Sequence, residues 1–180
     1  MIARAVALTL LILPCRLSGF PDGPSIDGTW TSVPARSTEI AAWKGRTLGL
    51  AISVRGDRVS IVHNWLDRGQ VAYADTFRFV PGGKAVRSVV CSVEWPDNWL
   101  MGVLSSAGDE RTVSGSWQVE GSDIRTVTVQ PVVTSQGKTT VTTTREYVLG
   151  DGGNTLTLTE RRSSRPTPVV LVFERKEVRP

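Results

Sequence analysis

Several groups of side chains in this sequence could do chemistry, and their types set what that chemistry would be. Arg145 and Tyr147 alternate with Val141 and Thr143, so all four point to one side of a strand. A guanidinium fork pairs a carboxylate bidentately and a phenol adds one more donor, so the two would grip an anionic head group if that side faces inward. Facing water, they would only solubilise. His63 lies in phase with Val59, Ile61 and Trp65. Its imidazole is either a hydrogen-bonded core or rim group, or one that titrates or ligates inside a cavity. Tyr73, Asp75 and Phe77 share a face. A carboxylate among aromatics is costly to bury alone, so Asp75 sits at a rim, pairs inside, or acts as a shifted acid. Trp117 lines a core or a cavity. The candidate ligand-binding set is therefore His63, Trp65, Tyr73, Trp117, Arg145 and Tyr147. Trp95 and Trp99 flank the turn Pro96-Asp97-Asn98, either as a lip that meets ligand or partner or as a cover over the core.

Other chemistry is excluded by what the chain lacks. With a single histidine among 180 residues, a Ser-His-Asp triad would have to run through His63, and a His-rich zinc or facial-triad iron site cannot be assembled. No glycine-rich phosphate loop opens a helix, and the spacing of Glu94 and Asp97 does not enforce a glycosidase geometry. No catalytic residue, metal or cofactor is expected. Cys91, between Val89 and Val93, reads as a small buried hydrophobe rather than a reactive thiol. The net charge of +4 is scattered, apart from Arg161-Arg162 and Arg165 in what reads as a solvated hairpin loop. A nucleic-acid partner would need a basic stripe with a reading element.

The elements that must position these residues are strands. Leu48, Leu50, Ile52 and Val54 oppose Gly49, Ala51 and Ser53. Val113, Gly115, Trp117 and Val119 oppose Thr112, Ser114, Ser116 and Gln118. Leu156 and Leu158 alternate with threonines, and Val169, Leu171 and Phe173 with Val170 and Val172. Period-two alternation puts one face on a core and the other towards water. Turn signals such as Arg55-Gly56-Asp57, Pro81-Gly82-Gly83, Gly121-Ser122-Asp123, Gly150-Asp151-Gly152-Gly153 and Ser163 to Pro168 punctuate the pattern. The spacing predicts an all-β fold, an antiparallel up-and-down meander of about nine to eleven strands that curls into a β-barrel and so removes its edges. One short helix is predicted after the first strand, over Ser37 to Trp43, with Ser37 as cap and Gly45 as stop.

Residues 1–19 read as a signal peptide, from the positive start at Arg4 and the apolar run Ala5 to Pro14, which is shorter than the roughly 20 residues a spanning helix needs. Cleavage is expected near Gly19, leaving a linker over 20–27, the barrel over 28–176 and a tail over 177–180. The mature chain is then exported, to periplasm or medium, and is expected to be monomeric. Cys15 follows a proline where lipidated cysteines follow a small residue, which argues against a lipid anchor.

Gly28-Thr29-Trp30 near the start and Phe173-Glu174-Arg175 near the end resemble the Gly-x-Trp and closing arginine of lipocalins and the wider calycin group. The resemblance implies that Gly28, Trp30 and Arg175 close one end of the barrel, the arginine lying across the tryptophan in a cation–π contact. With Pro34 to Ser37 and the late Asp151-Gly152-Gly153-Asn154-Thr155-Leu156-Thr157-Leu158-Thr159, the chain looks like the short exported lipocalin-like proteins of bacteria, although the Thr-Asp-Tyr signature of lipocalins is absent. Arg145-x-Tyr147 is similar to the carboxylate-gripping pair of fatty-acid-binding proteins, and nitrobindin-type barrels imply a haem role for a residue such as His63.

The expectation is a non-enzymatic, exported barrel that holds a small hydrophobic or amphipathic molecule. The alternatives are an envelope interaction module acting through Trp95, Trp99 and the Arg161 to Arg165 loop, and a haem-binding or enzymatic barrel using His63.

Overall fold

The computed structural model describes residues 24–38, 47–67, 70–90, 108–134 and 137–176. These contain ten strands: β1 (Gly28–Ser32), β2 (Thr47–Arg55), β3 (Arg58–Asp67), β4 (Gln70–Phe79), β5 (Val86–Val89), β6 (Glu110–Val119), β7 (Asp123–Thr134), β8 (Gly137–Leu149), β9 (Thr155–Arg162) and β10 (Arg165–Arg175). Their sequences are rich in β-branched residues with period-two burial: along β8, Val141, Thr143, Arg145 and Tyr147 are buried and the residues between them are not.

All neighbouring strands are antiparallel, in the order β4-β3-β2-β1-β10-β9-β8-β7-β6-β5. The sheet curls into a nearly closed barrel. The first and last strands, β1 and β10, meet by backbone pairing, Trp30 opposite Arg175 and Ser32 opposite Phe173, and the ladder continues through Val33 N–H to Val172 O at 2.7 Å. The outer strands β4 and β5 do not pair, which leaves a seam. It is stitched by side chains reaching from β4 to β6. Asp75 takes a bidentate fork from Arg111 at 2.5 and 2.7 Å, and the Phe79 ring lies where a Cβ on Gly115 would stand.

The lower end, which carries the β2–β3, β4–β5, β6–β7 and β8–β9 turns, is closed. Trp30 is fully buried there among Ile26, Leu50 and Phe173, and donates from Nε1 to Ile26 O at 3.1 Å. The Arg175 guanidinium lies 4.1 Å over the Trp30 ring and donates to the carbonyls of Gly153, Asp27 and Ser25 at 2.9, 2.7 and 2.5 Å. Gly28, at φ +144°, leaves the room this needs, because a Cβ there would run into Arg175 Nη1. Residues 24–27, read from sequence as the end of a linker, are thus tied across the barrel's foot, with Ile26 N–H also bonded to Gly121 O at 2.8 Å.

Several local expectations change. Val119 does not join Val113 and Trp117 inside but is 56% exposed, because the register shifts between Trp117 and Val119 and the extra residue turns the strand over. Arg162 does not belong to a solvated loop. The β9–β10 turn is only Ser163–Ser164, so Arg162 stays in phase with Leu156, Leu158 and Glu160 and is 9% exposed, while Arg161 points out to Glu146. The first helical turn is a 3-10 turn over Pro34–Arg36, and the Ser37 hydroxyl accepts from Val172 N–H at 3.0 Å. Residues 39–46, and with them most of the expected Ser37 to Trp43 helix, lie outside the described residues, as do 1–23.

Candidate functional site

The inner wall carries polar side chains stacked in layers, and strand register builds them. One row across β6 to β9 runs Gly115, Thr126, Arg145, Glu160; the next, nearer the upper end, runs Val113, Thr128, Thr143, Arg162. Arg145 and Glu160 are therefore direct cross-strand partners, both buried, with Arg145 Nε donating to Glu160 Oε2 at 2.7 Å. Arg145 Nη1 reaches Thr128 Oγ1 at 3.4 Å, and the guanidinium lies 4.9 Å from the centre of the Phe77 ring. Arg111 approaches the same ring, at 4.5 Å. Phe77 thus contacts two guanidinium groups inside the barrel.

Below this layer, His63 Nε2 and the Tyr147 hydroxyl are 2.8 Å apart. In the sheet order, β3 and β8 stand five places apart in ten, on opposite walls, so this hydrogen bond spans the lumen. The His63 ring also meets Phe77 edge-on at 5.1 Å. Burial first, and then the positive fields of Arg145 and Arg111, push the His63 pKa well below its usual 6.5, so the ring is neutral at pH 7. Burial likewise raises Tyr147 above the usual phenol value, against the opposing pull of Arg145. The pair is a neutral donor–acceptor bridge. With Nε2 engaged by Tyr147, His63 does not present that nitrogen to an axial ligand site.

The structure brings together three of the six residues expected at a ligand site: His63, Arg145 and Tyr147. Trp117 is half-buried against the core. Trp65 and Tyr73 pair by backbone register between β3 and β4, and their side chains lie outside the described residues. Trp95, Trp99, Glu94, Asp97 and Cys91 fall in 91–107, also outside them. Asp75 is a buried partner of Arg111 rather than a rim group. The sequence reading missed Arg111 and Glu160. Both follow the apolar alternation of their strands, Arg111 with Val113 and Glu160 with Leu156 and Leu158, and a charge kept in phase with an inward face was the available signal. Among the described residues, no three of His, Cys, Asp and Glu gather as a metal site would require.

No protein-family model matches the chain, and no curated protein matches its sequence. Solved structures do share its shape. A REP1-NXSQ fatty acid transporter aligns over 85% of this chain and 97% of its own length, at TM-score 0.52 and 10% identity. A Schistosoma mansoni fatty acid binding protein in complex with arachidonic acid aligns over 86% and 100%, at 0.52 and 12%. A secretory abundant heat soluble protein from Ramazzottius varieornatus aligns over 88% and 100%, also at 0.52 and 12%. At such identities the likeness is one of fold alone: an antiparallel up-and-down β-barrel.

Proposed function

We propose that the chain is a non-catalytic binding barrel, exported from the cell, whose interior takes an amphipathic molecule with an anionic head. The observation that carries this is the layer formed by Arg145, Glu160 and Thr128 above the His63–Tyr147 bridge. The bridge and the packed foot beneath it give the lumen a floor, and the floor carries a buried guanidinium paired with the Glu160 carboxylate. An incoming carboxylate would replace the long Thr128 contact and add a charge-assisted pair in a low-dielectric site. Its chain would then extend towards the upper end, along inner-wall residues such as Val132 and Val141. The apolar run Ala5 to Pro14 supports export, and the shared shape with fatty-acid carriers supports the ligand class.

The test compares oleate with oleyl alcohol, each displacing a fluorescent fatty acid from the full chain. Oleate should bind about tenfold more tightly, the value of one charge-assisted hydrogen bond. The difference should vanish in the double variant Arg145→Met/Glu160→Leu, which removes both charges and leaves neither buried alone. Failure to bind either compound, or an unchanged preference in that variant, would sink the reading.

A further inference from the structure

An external groove lies at the foot of the seam. Its volume is about 470 Å³, and it is lined by Ser53 and Arg55 of β2, Arg58, Val59 and Ser60 of β3, Arg78 and Phe79 of β4, and Val80 and Val86 beyond. Register places its polar wall: Ser53, Ser60 and Arg78 stand on one outward rung, and Arg55 opposite Arg58 on the closing rung of the hairpin. Arg55 is held by Asp27 at 3.1 Å, while Arg58 and Arg78 are exposed and pair with no acid among the described residues. Asp57, in the adjoining turn, does not line the groove. The apolar wall is shared with the barrel, since Val59 and Phe79 also belong to the hydrophobic core, and Val86 is exposed on the edge strand β5.

We infer that this groove binds a small anionic amphiphile, its phosphate or carboxylate head between Arg58 and Arg78 and its apolar part against Val80 and Val86. The volume suits a small molecule. Two unneutralised guanidinium groups beside two hydroxyls match an oxyanion, and the apolar surface that Val80 and Val86 present next to them selects a ligand that is not purely ionic. This site is independent of the interior reading, because none of its lining residues belongs to the Arg145 layer.

The experiment titrates the full chain with dodecyl phosphate, following backbone amide shifts of Ser53, Ser60, Val80 and Val86 by NMR. Dodecyl phosphate and dodecanoate should both shift these amides, and Arg58→Ser/Arg78→Ser should raise the apparent Kd by about tenfold or more, the loss of at least one charge-assisted hydrogen bond. Both residues are exposed, so the variant should keep the wild-type unfolding midpoint, which is checked in parallel. Inorganic phosphate should bind far more weakly. Equal binding of inorganic phosphate would overturn the amphiphile assignment. So would unmoved amides at saturation, an unchanged Kd in the variant, or binding only to phosphatidylserine vesicles, which would make the groove a membrane contact. The Arg145→Met/Glu160→Leu variant should leave these four amide responses intact, so failure of the interior reading is scored separately.

Discussion

The barrel wall is closed twice, by different means. Where β1 meets β10, backbone pairing does the work, and Arg175 and Trp30 fasten the N-terminal segment beneath it. Where β4 and β5 part, no backbone ladder exists, and closure rests on Asp75 with Arg111 and on Phe79 against Gly115, helped by Gly82 N–H to Gly115 O at 2.8 Å. A backbone ladder tolerates changes of side chain, whereas a stitched seam depends on a few identities. The seam is also where the interior polar layer begins, since Arg111 and Phe77 belong to both. The closure made by side chains is therefore the one joined to the candidate site, where low local stability would accompany a binding surface.

The contrast can be broken most severely at the seam. Arg111→Met leaves Asp75 buried without its partner and should cost about 3–5 kcal/mol in urea unfolding, much of it regained in Asp75→Leu/Arg111→Met. Similar cost in the single and double variants would refute the pairing argument. At the other closure, Trp30→Ala should lose about 3–5 kcal/mol through the cavity it leaves, with no rescue by any charge change. Gly115→Val forces the Phe79 ring aside and should cost about 1–3 kcal/mol, with hydrogen exchange rising in β4 and β6 but not in β1 and β10. Uniform acceleration in all four strands would show that the two closures are not separable.

A smaller effect follows from His63. Its folded pKa lies below the unfolded value near 6.5, so the unfolded chain binds the extra proton first. The stability of the neutral bridge is complete above about pH 6.5 and falls as pH drops below it, by at most about 1.4 kcal/mol per pH unit. His63→Gln should flatten the dependence of the unfolding midpoint between pH 7 and 5.5, and a slope identical to wild type would assign it elsewhere. The smallest change is expected on the outer surface beside the β1–β10 closure. Arg36 and Glu174 form an exposed pair at 3.6 Å, and Glu174→Gln should move stability by less than about 0.5 kcal/mol.

Sequence alternation alone determined the all-β antiparallel meander and bounded its strand number at about nine to eleven, because a half-buried strand repeats every two residues whatever surrounds it, while which face turns inward was decided by the tertiary structure. The Gly28, Trp30 and Arg175 closure was legible only through the resemblance of Gly28-Thr29-Trp30 and Arg175 to the lipocalin pattern, and the structure places the guanidinium over the Trp30 ring with Gly28 leaving room for it. The partners of the inward charges were not legible. Arg145 could be placed on one strand face with Tyr147, but whether that face turns inward, the pairing of Arg145 with Glu160, the reach of His63 across the lumen to Tyr147, and the fork from Arg111 to Asp75 depend on inter-strand register and on which walls face each other. A one-residue bulge, as at Trp117/Val119, is enough to exchange inside for outside. Strand periodicity is a local property of the chain, while register and curvature are set only when all ten strands close together, and that closure made a cluster of scattered charges into a floor.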